Sequence, residues 1–374
     1  MNGGRYRYYF NPFFEVSPVS HGEAFRLDSP TDVRRFHESL SEYNPTPVLK
    51  FDQLAANLGI GSILIKDESQ RFGLNSFKAL GACYAMHRLF QAGMMERRIV
   101  SAATEGNHGR AVAWMARKMG LEAVIYVPSN ASPVRLDAIR REGARVVTVE
   151  GSYEDTVLHM AKESAEKQFT IVSDTGYEGY TEIPKLITAG YFTLFLELQE
   201  QLEASGFPIP DYLFLQGGVG TFASSGIAYF DTFASRAQSP TIVTVEPLEA
   251  DCLLASAASP EGSLQHSSGN LRTRMSGLNC GFPSIVAWPI VRSGASLLMA
   301  VNDELATTAV EHLKHPTQPD PAVQTSESGA AGLAALFACC EDSSEEVRES
   351  LGFGTDTTVL LVNTEGPLVG LQGE

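Results

Sequence analysis

The segment KDESQRFGLNSFKALGA, residues 66 to 82, sets Lys78 between polar residues and the small-residue start of a helix. Asn75 and Ser76 precede it, Phe77 is placed to pack, and Ala79, Gly81 and Ala82 leave room for a ring beside the amine. An amine walled by an aromatic and small apolar groups loses hydration. Its pKa then falls, and it becomes a nucleophile able to form a Schiff base with an aldehyde. Taken alone, a lysine is far more commonly a solvated surface charge.

A second segment, QGGVGTFA (216–223), follows the apolar run YLFLQ and opens a helix-like stretch. Backbone N–H groups of such a turn, aided by the helix N-terminus, converge on an anion such as a phosphate. Gly218 to Ala223 also fits the dinucleotide pattern GxGxxA, with Glu246 closing the next strand as a ribose-binding acid would. A turn without ligand is the plainer alternative. The third segment is SAATEGNHGRAVAW (101–114), where Thr104, Glu105, Gly106, Asn107 and His108 sit at a strand-to-helix junction. Their N–H groups suit a carboxylate. The plainer alternative is a capped helix, with Asn107 as N-cap and His108 on the surface.

All three segments lie at junctions in a chain that alternates strand-like and helix-like runs. Strands are expected at 62–67, 98–103, 123–128, 144–149, 169–174, 212–216, 241–246 and 357–363. Runs such as HGRAVAWMARKMG, PVRLDAIRREG and YEDTVLHMAKESAEK lie between them, with apolar residues recurring at three and four positions. Short, non-alternating apolar strands separated by helices predict an α/β fold of open, mostly parallel sheets. The compact block after residue 98 suggests a small α/β domain over 88–201, inserted into a large cofactor-binding domain of 1–87 and 202–374. EASGFPIPDY is the expected return junction, because Gly206, Pro208 and Pro210 interrupt a helix. The polar stretch 258–277 reads as a loop near a site or as plain surface.

Composition narrows the function further. The 374 residues carry 44 acidic and 28 basic side chains, a formal charge of −16, without a basic run that would follow a phosphate backbone. Nucleic acid and anionic membrane are therefore poor partners. No apolar run approaches the ~18 residues of a membrane span, and MNGGRYRYYFNPFF lacks a secretory core, so a cytoplasmic protein is expected. The five cysteines are unevenly spaced and form no CxxC pair, which argues against a disulfide framework or a structural zinc site. His312 and His315 lie three apart with no third ligand evident, so no metal is expected. Cys339 and Cys340 read as packed thiols, and Glu327 as either a site wall or a helix-dipole acid.

Together the segments resemble the pyridoxal-phosphate enzymes of the tryptophan synthase β type, fold type II. NSFKALGA is similar to that group's lysine motif, TEGNHG to its asparagine loop and GGVGT to its phosphate cup. The resemblance extends to the diaminopropionate ammonia-lyases. YNPTPVLKFDQLA, IKDESQRFGLNSFKALG, TEGNHGRAVAW, VSDTGYEGYTEIPKLITAGY, VEPLEADC, TSESGAAGL and VNTEG stand in that family's order across roughly residues 43 to 366. It implies that Lys78 holds pyridoxal 5′-phosphate covalently and that Asn107 bonds its phenolic oxygen. Gly217, Gly218, Val219, Gly220 and Thr221 would bind the phosphate, and Thr364 would face the pyridine nitrogen. Residues Thr104 to His108 would grip the substrate carboxylate. Glu105 would take the Cα proton from one substrate enantiomer and Lys78 from the other, with Asp174 a candidate base or ammonium-binding group. The substrate would be a small amino acid and the assembly a homodimer.

Two departures bear on the chemistry. The resemblance implies aspartate where Glu105 stands and tryptophan where Tyr177 stands. One extra methylene moves a carboxylate by about an ångström, a displacement that can cost on the order of 10²-fold in rate. The expected activity is α,β-elimination of ammonia from 2,3-diaminopropionate to pyruvate. Alternatives are elimination or β-replacement on serine, threonine, hydroxyaspartate or an activated serine, an NAD-binding oxidoreductase, and a non-catalytic relative.

Overall fold

A computed structural model describes residues 4–15, 29–95, 97–104, 106–129, 131–151, 153–207, 209–234, 239–341 and 345–367. Eleven strands are present among them: β1 Tyr6–Phe10, β2 Val48–Lys50, β3 Ser62–Asp67, β4 Ile99–Ala103, β5 Glu122–Pro128, β6 Arg145–Val149, β7 Thr170–Ile171, β8 Tyr212–Gln216, β9 Thr241–Pro247, β10 Ala295–Val301 and β11 Thr358–Asn363. They form a seven-stranded sheet in the order β1-β10-β9-β8-β11-β3-β2 and a four-stranded sheet in the order β6-β5-β4-β7. The small sheet is parallel throughout. The large sheet is parallel except at its edges, where β1 pairs β10 and β2 pairs β3 in antiparallel register. Helices cover the buried apolar strands, as parallel sheets require. Among the described residues no helix is long and apolar enough to cross a membrane.

Each strand expected from the sequence has a counterpart, and three more appear. ASLLMAV became β10 because a run of leucine, methionine and alanine suits a buried strand and a buried helix equally. Its antiparallel partner β1, YRYYF, lies in the N-terminal stretch to which the sequence assigned no element, and β2 is three residues long. The expected strand 169–174 shortens to β7, Thr170–Ile171, although Val172 N–H still donates to Ser101 C=O at 2.8 Å. Beyond that bond the chain turns away and carries Asp174 out of the sheet.

The connection from β3 to the helix Lys78–Gln91 is held by buried charge. Lys66, Glu68, Arg71 and Glu197 are each at most 2% exposed. Arg71 forks onto two carboxylates: Nε and Nη2 donate to Glu68 at 2.8 Å, while Nη1 and Nη2 donate to Glu197 at 2.8 and 2.7 Å. Lys66 Nζ donates to Glu197 at 2.9 Å and to Thr46 C=O at 2.7 Å. Two cations thus balance two anions, and Glu197, on the helix Phe192–Ser205, ties that helix to the connection. Burial would raise the Glu197 carboxyl, but Arg71 and Lys66 outweigh it and hold the group well below the usual carboxylate range.

Small residues then let the elements close. A Cβ on Gly190 would stand 2.6 Å from Leu80 O, and one on Gly81 would stand 2.7 Å from Ile187 and from the Tyr191 ring. Gly81 therefore makes room for the helix Glu182–Gly190 rather than for a ring beside the amine.

Glu197→Ala would leave Arg71 and Lys66 short of a buried partner, and breaking a buried pair from one side typically costs about 3–5 kcal/mol. Denaturant unfolding should show a loss of that size, with a smaller loss for Glu197→Gln.

Candidate active site

Lys78 opens the helix Lys78–Gln91. The chain beyond β11 fixes its approach: Ser76 and Glu365 form an antiparallel bridge, and Phe77 N–H donates to Thr364 C=O at 3.2 Å. Asn75 sits at φ +58°, in the left-handed region that asparagine tolerates better than most residues, which accounts for its place in NSFK. Lys78 Nζ lies 2.7 Å from Asp174 Oδ2 and 5.4 Å from the Phe77 ring centroid. Phe77 in turn packs on Tyr191 and Phe222 at 4.8 and 4.4 Å.

The electrostatics reverse the sequence expectation of a lowered lysine pKa. Burial does favour neutral Lys78, but the Asp174 carboxylate outweighs it and holds the ammonium well above the ordinary lysine value. Burial would likewise raise Asp174, yet Lys78 and then His108 hold its carboxyl well below the usual range. The aromatic wall removes water; the carboxylate decides the charge.

The glycine segment runs from β8 into the helix Thr221–Thr232. Gly218 and Gly220 adopt φ of +59° and +94°, and Gly220 N–H donates to Gly217 C=O at 3.0 Å. A Cβ on Gly217 would stand 2.7 Å from Glu246 Cγ, so a side chain cannot enter there. Val219 C=O accepts from Ser284 N–H at 2.9 Å, and Ser284 Oγ accepts from Gly176 N–H at 2.8 Å. Thr221 Oγ1 donates to Asp174 C=O at 2.6 Å. Asp174 therefore touches the amine with its carboxylate and the glycine turn with its carbonyl, so the two stand one residue apart.

Glu246 is not placed to read a ribose. It is fully buried, and its two oxygens accept from Leu253 and Leu254 N–H at 2.8 Å each, capping the helix Cys252–Ala258. Burial pushes its carboxyl up to about 8. The dinucleotide reading of GVGTFA thereby loses its acid.

Asn107 is the first residue of the helix Asn107–Met119, with extended Gly106 at the N-cap position that the sequence suggested for Asn107. Its Nδ2 donates to Glu365 Oε2 at 2.6 Å. His108 is 6% exposed rather than on the surface, and its Nε2 lies 2.8 Å from Val172 C=O. Thr364 is 3% exposed, next to Glu365. Glu105 lies outside the described residues. Tyr177 is 40% exposed and stacks on Tyr180 at 5.0 Å.

The sequence pattern of the family described as "Pyridoxal-phosphate dependent enzyme" matches residues 40–364. The chain belongs to the pyridoxal-phosphate dependent enzymes. It is 37% identical to the diaminopropionate ammonia-lyase of Salmonella typhimurium over 361 residues, covering 90% of this chain and 88% of that one. It superposes on the crystal structure of the Escherichia coli diaminopropionate ammonia-lyase, in complex with an aminoacrylate-PLP azomethine reaction intermediate, with a TM-score of 0.89. That likeness has 34% identity and covers 98% of this chain and 95% of the other. Maize serine racemase, 23% identical with a TM-score of 0.73 over 92% of this chain and 94% of that one, shares the fold. The architecture is that of fold type II.

The donor set fits the family's cofactor. An amine and a turn with two left-handed glycines at the mouth of a 12-residue helix are both bonded to Asp174. A Cβ on Gly218 would be in ordinary contact with Cys280 Sγ at 3.6 Å and Leu278 at 3.8 Å, so it is the left-handed φ of +59°, not crowding, that calls for glycine there. Glu365 was not singled out in the sequence, where its place beside Thr364 in NTEG was the available signal, and the burial of His108 had no local signal beyond its place in TEGNHG.

Asp174→Asn should destabilise cofactor-free protein, and the deficit relative to wild type should vary with pH. A depressed carboxylate contributes above its unfolded value near ~4, and a raised ammonium contributes below its unfolded value near ~10.4. Melting curves should show a constant deficit around neutrality, shrinking as the pH falls below about 4 or rises beyond about 10.4.

Proposed function

We propose that this enzyme eliminates ammonia from 2,3-diaminopropionate, with water then converting the eliminated product to pyruvate and a second ammonia. The observation that carries the reading is the junction at Asp174, where the Lys78 amine and the Thr221 end of the glycine turn meet. The names of the relatives at 34–37% identity support the choice of substrate.

Pyridoxal phosphate, when bound, withdraws electrons from the substrate Cα and makes its proton acidic. Lys78 would hold the cofactor through Nζ. The N–H groups of Gly218, Val219 and Thr221 would receive the phosphate, strengthened by the N-terminal partial charge of the helix Thr221–Thr232, whereas those of Gly217 and Gly220, also expected there from the sequence, donate to Val245 and Gly217 C=O and serve the turn itself. Thr364 would offer the pyridine nitrogen a neutral hydroxyl, which would leave that nitrogen less protonated than a carboxylate would. Asn107 would donate to the phenolic oxygen.

The remaining groups handle protons and substrate charge. Asp174, kept ionised beside Lys78, is suited to hold the substrate's side-chain ammonium or, once Lys78 is engaged elsewhere, to accept a proton. Lys78 Nζ, once released, is a base on the same side as Asp174. Glu105 follows Thr104, whose Oγ1 accepts from Gly106 N–H at 3.2 Å, and in this reading its carboxylate takes the Cα proton from one enantiomer while Lys78 serves the other. The reading includes a homodimer in the cytoplasm, to be checked by light scattering and by cell fractionation.

Purified protein supplied with the cofactor should release pyruvate and ammonia from at least one diaminopropionate enantiomer, with a visible band that Lys78→Ala lacks. Lys78→Ala should abolish turnover, and Glu105→Gln should slow one enantiomer by roughly 10²-fold or more. Absence of release from both enantiomers, alongside release from serine or threonine, would overturn the substrate assignment.

A further inference from the structure

Glu365 is the point where three of the chain's site segments meet. Its backbone bridges Ser76, two residues before Lys78, and its C=O accepts from Ser326 N–H at 3.3 Å. Its carboxylate is shared: Oε1 accepts from Ser326 Oγ at 2.5 Å, and Oε2 accepts from Asn107 Nδ2 at 2.6 Å. Ser326 Oγ itself accepts from Gly329 N–H at 3.1 Å, which anchors that side to the start of the helix Ala331–Cys340. A Cβ on Gly277 would stand 3.2 Å from Oε2, so the carboxylate is also hemmed in from that loop.

An ionised carboxylate only accepts hydrogen bonds, so the end of the Asn107 amide that faces it must be the NH2 group. One of its two protons goes to Glu365, and the other is left in a fixed direction within the amide plane. Without this partner the terminal torsion of asparagine is broad and roughly two-fold, and the amide would present its oxygen as readily as its nitrogen. An oxygen turned towards a phenolate would repel it.

We propose that Glu365 is a positioning residue for the cofactor, locking the Asn107 amide so that its second Nδ2–H points to the phenolic oxygen. The inference rests on the role given to Asn107 above. Glu365 touches neither the cofactor nor the substrate in this scheme; it acts through Asn107.

The test uses full-length protein loaded with pyridoxal phosphate, without substrate. Cofactor dissociation constants and visible spectra are compared for wild type, Asn107→Ala, Glu365→Ala, Glu365→Gln, Glu365→Leu and the double variant Asn107→Ala/Glu365→Ala. Glu365→Ala should weaken cofactor binding about tenfold or more, the scale of a lost charge-assisted bond, and shift the band as Asn107→Ala does. The double variant should add nothing further, because both changes remove one interaction. Glu365→Gln should recover most of the wild-type band and affinity, since its oxygen can accept from Asn107 and its amide can donate to Ser326 Oγ. Glu365→Leu keeps the bulk without an acceptor and decides the matter if the alanine variant does not fold. A wild-type band and affinity in Glu365→Leu, or additive effects in the double variant, would overturn the inference while leaving the cofactor reading intact. A wild type with no Lys78-dependent band would overturn the cofactor reading and the inference with it.

Discussion

The site depends on one residue being held by two others. Asp174 gives its carboxylate to the Lys78 amine and its carbonyl to the Thr221 hydroxyl, so an amine from one part of the chain and a glycine turn from another share a fixed spacing. In the proposed reading, one cofactor with a reactive aldehyde at one end and a phosphate at the other would reach both. Asp174 reaches its position because the β7 segment leaves the small sheet after Val172, and Ser284 keeps Gly176 beside Val219. The small sheet thus delivers the acid, while the large sheet delivers both of its partners.

Such a junction tolerates little play, and the surrounding structure limits it with buried polar groups. Arg71 and Lys66 meet Glu68 and Glu197 out of contact with water, immediately upstream of the lysine motif. A network of this kind is worth little as net stabilisation, because desolvating four charges offsets most of the attraction. Its value lies in geometry, since a planar guanidinium forked onto two carboxylates permits few alternative arrangements of the connection. On the opposite side of Lys78, Glu365 ties the asparagine loop and the Ser326 segment to the same stretch of backbone.

The charge state of the lysine shows how the two layers differ. Local sequence argued for a neutral, nucleophilic amine, on the strength of Phe77 and small neighbours. The fold adds an anion at 2.7 Å, and proximity of opposite charge outweighs burial. The amine is therefore held as an ammonium until something displaces its partner, so reactivity is set by what enters the site and not by the apolar wall.

Much of the protein was legible in its residues. Short apolar runs between helical repeats determined an open parallel α/β fold, because period and strand length are local properties. Lys78, the Gly217–Thr221 turn and Asn107 could be singled out because residue types at short spacing mark such segments, while the roles assigned to them came from the resemblance. What the sequence could not decide was every relation between distant segments. The burial of His108, the use of Gly81 for helix packing and the grip of Glu365 on Asn107 all require contacts from residues tens to hundreds of positions away, and the diversion of Glu246 to Leu253 and Leu254 requires the chain to turn back on itself. Side-chain chemistry is written locally, but partners, charge and orientation come from tertiary packing, because hydrogen bonds and ion pairs act over a few ångströms of space whatever their separation along the chain.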